Sequence, residues 1–269
     1  MSVVNPFVDR VLDVVSFVAE RARGCSLGEI SGQLKLSKSA THRMLAALVA
    51  RGWVEQESET GFYRLTLRLP AMAHRYLGST RLIDIVQPVV DRLARASLEH
   101  VRLAAVAGRG LTWLTTAQGA TSGLIFRGGS GRLPLHATAN GRAWLASLDD
   151  EAACRIVLEA GFGATGEFGP NAPRSIDVFL DRLAETRRLG FAVNVEESEV
   201  GVAAVAAAIR CSPEAPVVGT ISVSGPAIRF TRKRAFEVAR EMMLPAAAEL
   251  GDLWPLRAAT LQNSLASAV

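Results

Sequence analysis

Cysteine is scarce: Cys25, Cys154 and Cys211 are the only three in 269 residues, with no CxxC pair and no Cys/His cluster. That excludes a disulfide framework and a structural zinc site. The four histidines, His42, His74, His100 and His136, are equally scattered, so no metal is expected. Long apolar runs are missing as well. The longest uncharged one, Val200 to Ile209, is about ten residues, against the ~20 that span a bilayer. Asp9 and Asp13 break the N-terminal apolar stretch and no small-residue cleavage site follows, so neither a signal peptide nor a membrane partner is expected. The chain reads as a cytoplasmic protein.

What remains is a chain long for one domain and comfortable for two. Its hydrophobic content of 49% is enough for sizeable cores. Net charge is +4, and its placement says more than its size. Residues 1–78 hold 10 Lys+Arg against 7 Asp+Glu, or +3, and the rest hold 20 against 19, or +1. An excess confined to the first third suits a segment that meets phosphates.

Pro6 to Arg23 has a helical period, with Val8, Val11, Leu12, Val15 and Val18 at three- and four-residue steps and Gly24 as its stop. Ser26-Leu-Gly-Glu29 is a capping box opening a short second helix that buries Leu27, Ile30 and Leu34. Ser37 opens a third helix with Met44, Leu45 and Leu48 inward, closed by Arg51-Gly52. Trp53–Glu55 and Phe62–Leu65 flank a polar turn as a hairpin. Three helices and a hairpin are the order of a winged helix-turn-helix. The second helix of that motif turns its N-terminal side chains to DNA. Here those are Ser37, Lys38, Ser39, Thr41, His42 and Arg43, short hydroxyls and cations suited to phosphates and base edges. Ser26, Arg64 in the wing and Arg10 in the first helix are further phosphate candidates.

A helical stretch over Leu69–Ser97 follows, which Pro88 should divide in two; it is the candidate linker and dimer surface. Beyond it, strands are expected at Val101–Ala107, Leu111–Ala117, Leu124–Phe126, Phe191–Asn194, Val202–Ile209 and Val217–Ser224. Helices are expected at Thr138–Leu148, Glu151–Ala160, Arg174–Leu189 and Arg232–Leu250. The fold class is therefore α+β: a helical winged helix-turn-helix domain, a helical linker, and an α+β domain on an antiparallel sheet.

Motifs that could carry catalysis fail on context. Gly161-Phe-Gly163-Ala-Thr-Gly166 follows a helix where a dinucleotide site needs a strand, so it reads as a surface loop. Gly128-Gly-Ser-Gly-Arg132 lacks the GK[ST] of a phosphate loop and reads as a mobile connection near a pocket. Glu196, Glu197 and Glu199 read as a solvated acidic loop rather than paired general acid and base. No nucleophile–base set stands out, so no catalytic residue and no cofactor are assigned. Ser222 and Ser224 share one face of a strand and Ile221 and Val223 the other. The hydroxyl face is either a cavity wall that holds a small polar ligand or a half-exposed sheet edge.

Several segments together resemble the IclR-type transcription regulators. They are Leu36-Ser-Lys-Ser-Ala-Thr-His-Arg-Met-Leu45, Leu48-Val-Ala-Arg-Gly-Trp-Val-Glu-Gln56, Leu133-Pro-Leu-His-Ala-Thr-Ala-Asn-Gly-Arg-Ala-Trp-Leu-Ala146, Thr186-Arg-Arg-Leu-Gly-Phe191 and Ser222-Val-Ser-Gly-Pro226. The resemblance implies a GAF-like effector domain and a homodimer or tetramer on palindromic promoter DNA. It also implies a small organic acid or aromatic effector that controls a metabolic or catabolic operon. The family's pocket positions fall on Ser122, Ile125, Leu133, Ala139, Asn140, Asn194, Val202, Ala204, Ser222 and Ser224. Asn194 stands where some relatives carry an acid, Arg142 where Lys is common, and Ala204 where larger side chains occur. Losing the acid favours an anionic ligand and Ala204 enlarges the pocket. The expected division is 1–67 for DNA binding, 68–98 for the linker and dimerisation, 99–255 for effector binding, and 256–269 as a tail. An enzyme with an appended DNA-binding domain and a ligand-independent architectural protein are the competing readings.

Overall fold

The computed structural model describes residues 6–119, 134–164 and 166–255. The chain forms two compact units that divide between Leu77 and Gly78.

In the first unit α1 (Pro6–Ala19), α2 (Leu27–Gln33) and α3 (Lys38–Ala50) pack with the hairpin β1 (Val54–Gln56) and β2 (Tyr63–Leu65). Val14, Val18, Ile30, Met44, Leu45, Leu48, Val54 and Tyr63 form its core. The capping box is complete: Ser26 Oγ accepts the Glu29 N–H at 3.2 Å, and Glu29 Oε2 accepts the Ser26 N–H at 2.7 Å. The first helix ends at Ala19, four residues before the expected last residue, Arg23. The Arg21 N–H returns to the Val18 carbonyl, and Gly24 carries the chain into β2 pairing at φ +81°. The inward stripe is also rotated from the expected one. Val14 and Val18 are buried, while Val8 and Leu12 are exposed.

The linker breaks elsewhere than expected. Helix α4 (Arg68–Thr80) and α5 (Leu82–Ser97) meet at Arg81, which sits in the left-handed region at φ +49°. Pro88 lies within α5. Its missing N–H removes one bond of the i to i−4 ladder, a loss the helix tolerates because Val86, Val89, Val90 and Leu93 beside it are buried in the second core.

The second unit is built on a five-stranded antiparallel sheet in the order β4-β3-β7-β6-β5. The strands are β3 (His100–Ala107), β4 (Gly110–Gln118), β5 (Ala192–Val195), β6 (Val202–Arg210) and β7 (Val217–Pro226). One face presents Val101, Leu103, Val205, Ile209, Ile221 and Val223 to α5 and to the C-terminal helices. Those are α9 (Arg232–Val238) and α10 (Leu244–Leu253), joined by a π-helical turn over Ala239–Met243 where one continuous helix is expected. The opposite face is covered by α6 (Ala139–Leu145), with α7 (Asp150–Ala160) and α8 (Ile176–Leu189) packed outside it. Ala139 and Ala143 of α6 meet Ala192 and Ala206 of the sheet, a close all-alanine contact. Gly141 lets the segment before α6 fold back against the helix, since a Cβ there would lie 2.2 Å from the Leu135 carbonyl oxygen. The expected strand at Leu124–Phe126 and the loop at Gly128–Arg132 lie outside the described residues. Among the described residues no helix is long and apolar enough to cross a membrane.

Candidate DNA-reading helix and effector pocket

Ser37 caps α3, its Oγ accepting the Ala40 N–H at 3.3 Å. Lys38, Ser39, His42 and Arg43 are exposed, as are Ala46 and Ala47 one turn on. This spacing gives one continuous face of α3, polar at its N-terminal end and small further along, which leaves room for close approach to a groove. Among the described residues none of Lys38, His42 or Arg43 forms an ion pair. Thr41 departs from expectation. It is fully buried, and its hydroxyl donates to the Ser37 carbonyl at 3.1 Å, so it braces the helix and cannot reach a base. Ser26 is likewise engaged in its capping box. Arg64 is exposed but paired, with Nε 2.6 Å from its cross-strand neighbour Glu55 and Nη1 3.9 Å from Glu57. Two carboxylates beside it offset its pull on a phosphate. Arg10 is exposed on α1.

In the second unit, period two sets the covered sheet face. In register across β3, β7, β6 and β5, His100 meets Ser224, then Ala204 and Asn194; Arg102 meets Ser222, then Ala206 and Ala192. Ser222 and Ser224 are buried, and β7 is the middle strand, which decides against a half-exposed edge. The face thus gathers Asn194, Val202, Ala204, Ser222 and Ser224 beneath Ala139 and Asn140 of α6. Ser122, Ile125 and Leu133 lie outside the described residues.

Three of these polar side chains are tied internally, Ser224 among them with its Oγ donating to the His100 carbonyl at 3.4 Å. Asn140 Nδ2 donates to Thr220 Oγ1 at 2.9 Å. Asn194 Nδ2 donates to the Ala137 carbonyl at 2.6 Å, and its Oδ1 accepts the Glu197 N–H at 3.1 Å. The two asparagines hold this sheet face and the segment before α6 in place. Glu197 in turn corrects the expectation of a solvated acidic loop. It is buried, and its carboxylate receives Arg142 of α6 at 2.5 Å, with Arg182 at 3.6 Å. Burial pushes the Glu197 carboxyl up, and the two guanidinium groups pull it back.

Arg102 and His100 belong to this face, and the motif reading missed them. The signal was present in His100-Val-Arg-Leu103, where polar and apolar residues alternate. Arg102 Nε donates to His100 Nε2 at 2.9 Å, and its guanidinium lies 5.0 Å from the Trp113 ring. With Nε2 accepting, the His100 proton sits on Nδ1 and points to Gln118 Oε1 at 2.9 Å. That is the neutral ring, in keeping with burial lowering the His100 pKa. A half-buried guanidinium beside two serine hydroxyls and a wall of alanines can bind a small carboxylate.

A helix-turn-helix with an exposed cationic face, joined to an α+β unit with a polar sheet face, defines a DNA-binding regulator with a sensor domain. The comparisons agree. The family model for the IclR helix-turn-helix domain matches residues 7–58, and that for the bacterial transcriptional regulator IclR C-terminal domain matches residues 74–251. The chain belongs to the IclR family of transcription regulators. It is similar to the HTH-type transcriptional regulator XynR of Escherichia coli K12, at 31% identity over 217 residues covering 81% of this chain and 84% of that one. It is also similar to the HTH-type transcriptional repressor AllR of Salmonella typhimurium, at 29% over 227 residues covering 84% and 82%. Its fold matches an IclR homolog from Microbacterium hydrocarbonoxydans solved with 4-hydroxybenzoate, with TM-score 0.72 and 22% identity over 92% of this chain and 98% of that one. The chain is thus a helix-turn-helix transcription regulator with a C-terminal effector-binding domain.

Proposed function

We propose that the chain represses a metabolic or catabolic operon and releases or rearranges on its promoter when a small organic acid, aromatic or aliphatic, fills the sheet-face pocket. The observation that carries this reading is Arg102 and His100 in register with Ser222 and Ser224. The guanidinium supplies the charge and the hydroxyls supply donors for a carboxylate, while Ala139, Val202 and Ala204 give a small apolar wall. Repression is supported by the relative named a repressor, and an aromatic acid by the 4-hydroxybenzoate bound to the Microbacterium homolog.

DNA is read within residues 1–67, chiefly by Lys38, Ser39, His42 and Arg43, with Arg10 and Arg64 near phosphates. Residues 68–98 link and dimerise and residues 99–255 sense; the tail expected at 256–269 lies outside the described residues. A homodimer or tetramer sets two α3 helices in successive major grooves of a palindromic operator, in the cytoplasm where that DNA lies. The protein works as a switch, with no catalytic step. The effector must bind the DNA-bound and free forms unequally for the switch to work.

The test is calorimetric titration of the full chain with benzoate, 4-hydroxybenzoate and pyruvate, repeated with Arg102→Met and with Ser222→Ala/Ser224→Ala. At least one acid should bind, the Arg102 variant should lose it, and the double variant should bind it more weakly with operator affinity intact. Undiminished binding in both variants would refute the pocket.

A further inference from the structure

Away from the proposed sheet-face pocket, a cavity of about 420 Å³ lies beside the β3–β4 turn and the C-terminal end of α7. Leu111, Leu135, Ile156 and Phe168 are among its walls, and none of the described sheet-face residues lines it. Its size falls in the range of small-molecule sites, roughly 300–1,000 Å³.

His136 lines this cavity and is 2% exposed. Phe162 and Phe168 hold its ring edge to face, with centroids 5.1 and 5.3 Å away. The imidazole faces the Phe162 backbone, which favours its protonated form against the larger effect of burial. Its Nε2 is buried and has no hydrogen-bond partner among the described residues. With Nδ1–H assigned to that backbone, Nε2 keeps a bare lone pair. Buried acceptors of this kind are nearly always satisfied in folded proteins. Burial lowers the His136 pKa, so the ring is neutral and accepts at this nitrogen.

The charges around the cavity narrow the ligand. Arg109 is the one Lys or Arg among the described lining residues, and it is paired with Glu159 at 2.9 Å. Glu167 also lines the cavity, its carboxylate accepting the Ala164 N–H at 2.8 Å. Among the described lining residues no unpaired positive charge is left to balance an acid, and Leu111, Leu135, Ile156 and Phe168 supply apolar contact. We infer that this cavity is a second ligand site, separate from the acid pocket, for a neutral phenol or small aryl alcohol whose hydroxyl donates to His136 Nε2. The site is adjacent in sequence to the acid pocket, because the next residue, Ala137, gives the carbonyl that Asn194 holds.

The probe is 4-fluorophenol, titrated into the full chain by fluorine NMR, with fluorobenzene as the match lacking the donor. Fluorobenzene should bind roughly fivefold to tenfold more weakly, the net value of one hydrogen bond. His136→Phe should reduce 4-fluorophenol to the fluorobenzene level, Ile156→Trp should fill the cavity and abolish both, and Arg102→Met should change neither. In the unaltered chain, 4-fluorophenol should also shift the His136 Nε2 nitrogen resonance, a result that needs no variant to fold. Absence of 4-fluorophenol binding, equal binding of the two probes, an unmoved Nε2 resonance, or loss of binding in Arg102→Met would overturn the site.

Discussion

The Arg142 guanidinium lies 2.5 Å from the Glu197 carboxylate, and both side chains are sealed from solvent at 1% and 4% exposure. Arg142 also donates to the Val193 carbonyl, and Asn194 next to it binds the Glu197 N–H. One guanidinium thus fastens α6 to β5 and to the turn that follows, and these three pieces frame the proposed effector pocket. A point charge would not reproduce this, because the guanidinium's planar fork reaches two acceptors at once.

Removing half of such a pair strands the other charge. Arg142→Met should cost about 3–5 kcal/mol of stability, measured by urea unfolding. Adding Glu197→Leu should recover much of that loss, since two apolar side chains can replace a buried pair. A single variant as stable as the parent would show that the pair does not hold the pocket frame.

Histidine burial gives a pH dependence with a definite sign. Burial lowers both His100 and His136 below the ordinary 6.5. The unfolded chain therefore takes up protons at these sites at a higher pH than the folded chain does. Folding stability should be complete above 6.5 and fall as pH drops below it toward the folded values. Melting temperature followed from pH 8 down to 5.5 checks this, and His136→Phe should flatten part of the slope. A melting temperature that rises on acidification would reverse the sign.

In the DNA-binding unit the geometry separates side chains that composition groups together. Thr41→Val should cost about 1 kcal/mol of stability and leave sequence discrimination alone, because its hydroxyl serves the helix. Lys38→Ala should weaken all DNA similarly and reduce the slope of log affinity against log salt by about 1. Arg64→Ala should do less than Lys38→Ala, since Glu55 and Glu57 already offset the Arg64 charge. Anisotropy titrations at several salt concentrations read all three.

Local physics made the DNA-binding unit legible in the sequence. A capping box, a Ser cap and three- and four-residue periods are short-range signals, and α2, α3 and the hairpin follow them closely. The same holds for the sheet, where period two placed Ser222 and Ser224 on one face. What stayed hidden is long-range. Arg142 and Glu197 are 55 residues apart, and nothing local in Glu196-Glu197 says that one carboxylate is buried and its neighbour is not. Thr41 looked like a recognition residue because the outward stripe of α3 was read one position too wide. The α4–α5 break was missed because proline is a visible breaker in sequence, while a left-handed Arg81 is not.

The central claim is that the exposed face of α3 reads bases, and Arg43 tests it most directly. Competitive anisotropy should be run with the promoter DNA that the chain protects in a footprint and with a scrambled duplex of the same composition. Arg43→Ala should keep the parent's melting temperature and affinity for the scrambled duplex within a few-fold. It should lose roughly 1–3 kcal/mol of preference for the promoter site, about tenfold or more. A folded Arg43→Ala protein that still prefers the promoter as strongly as the parent would contradict the claim.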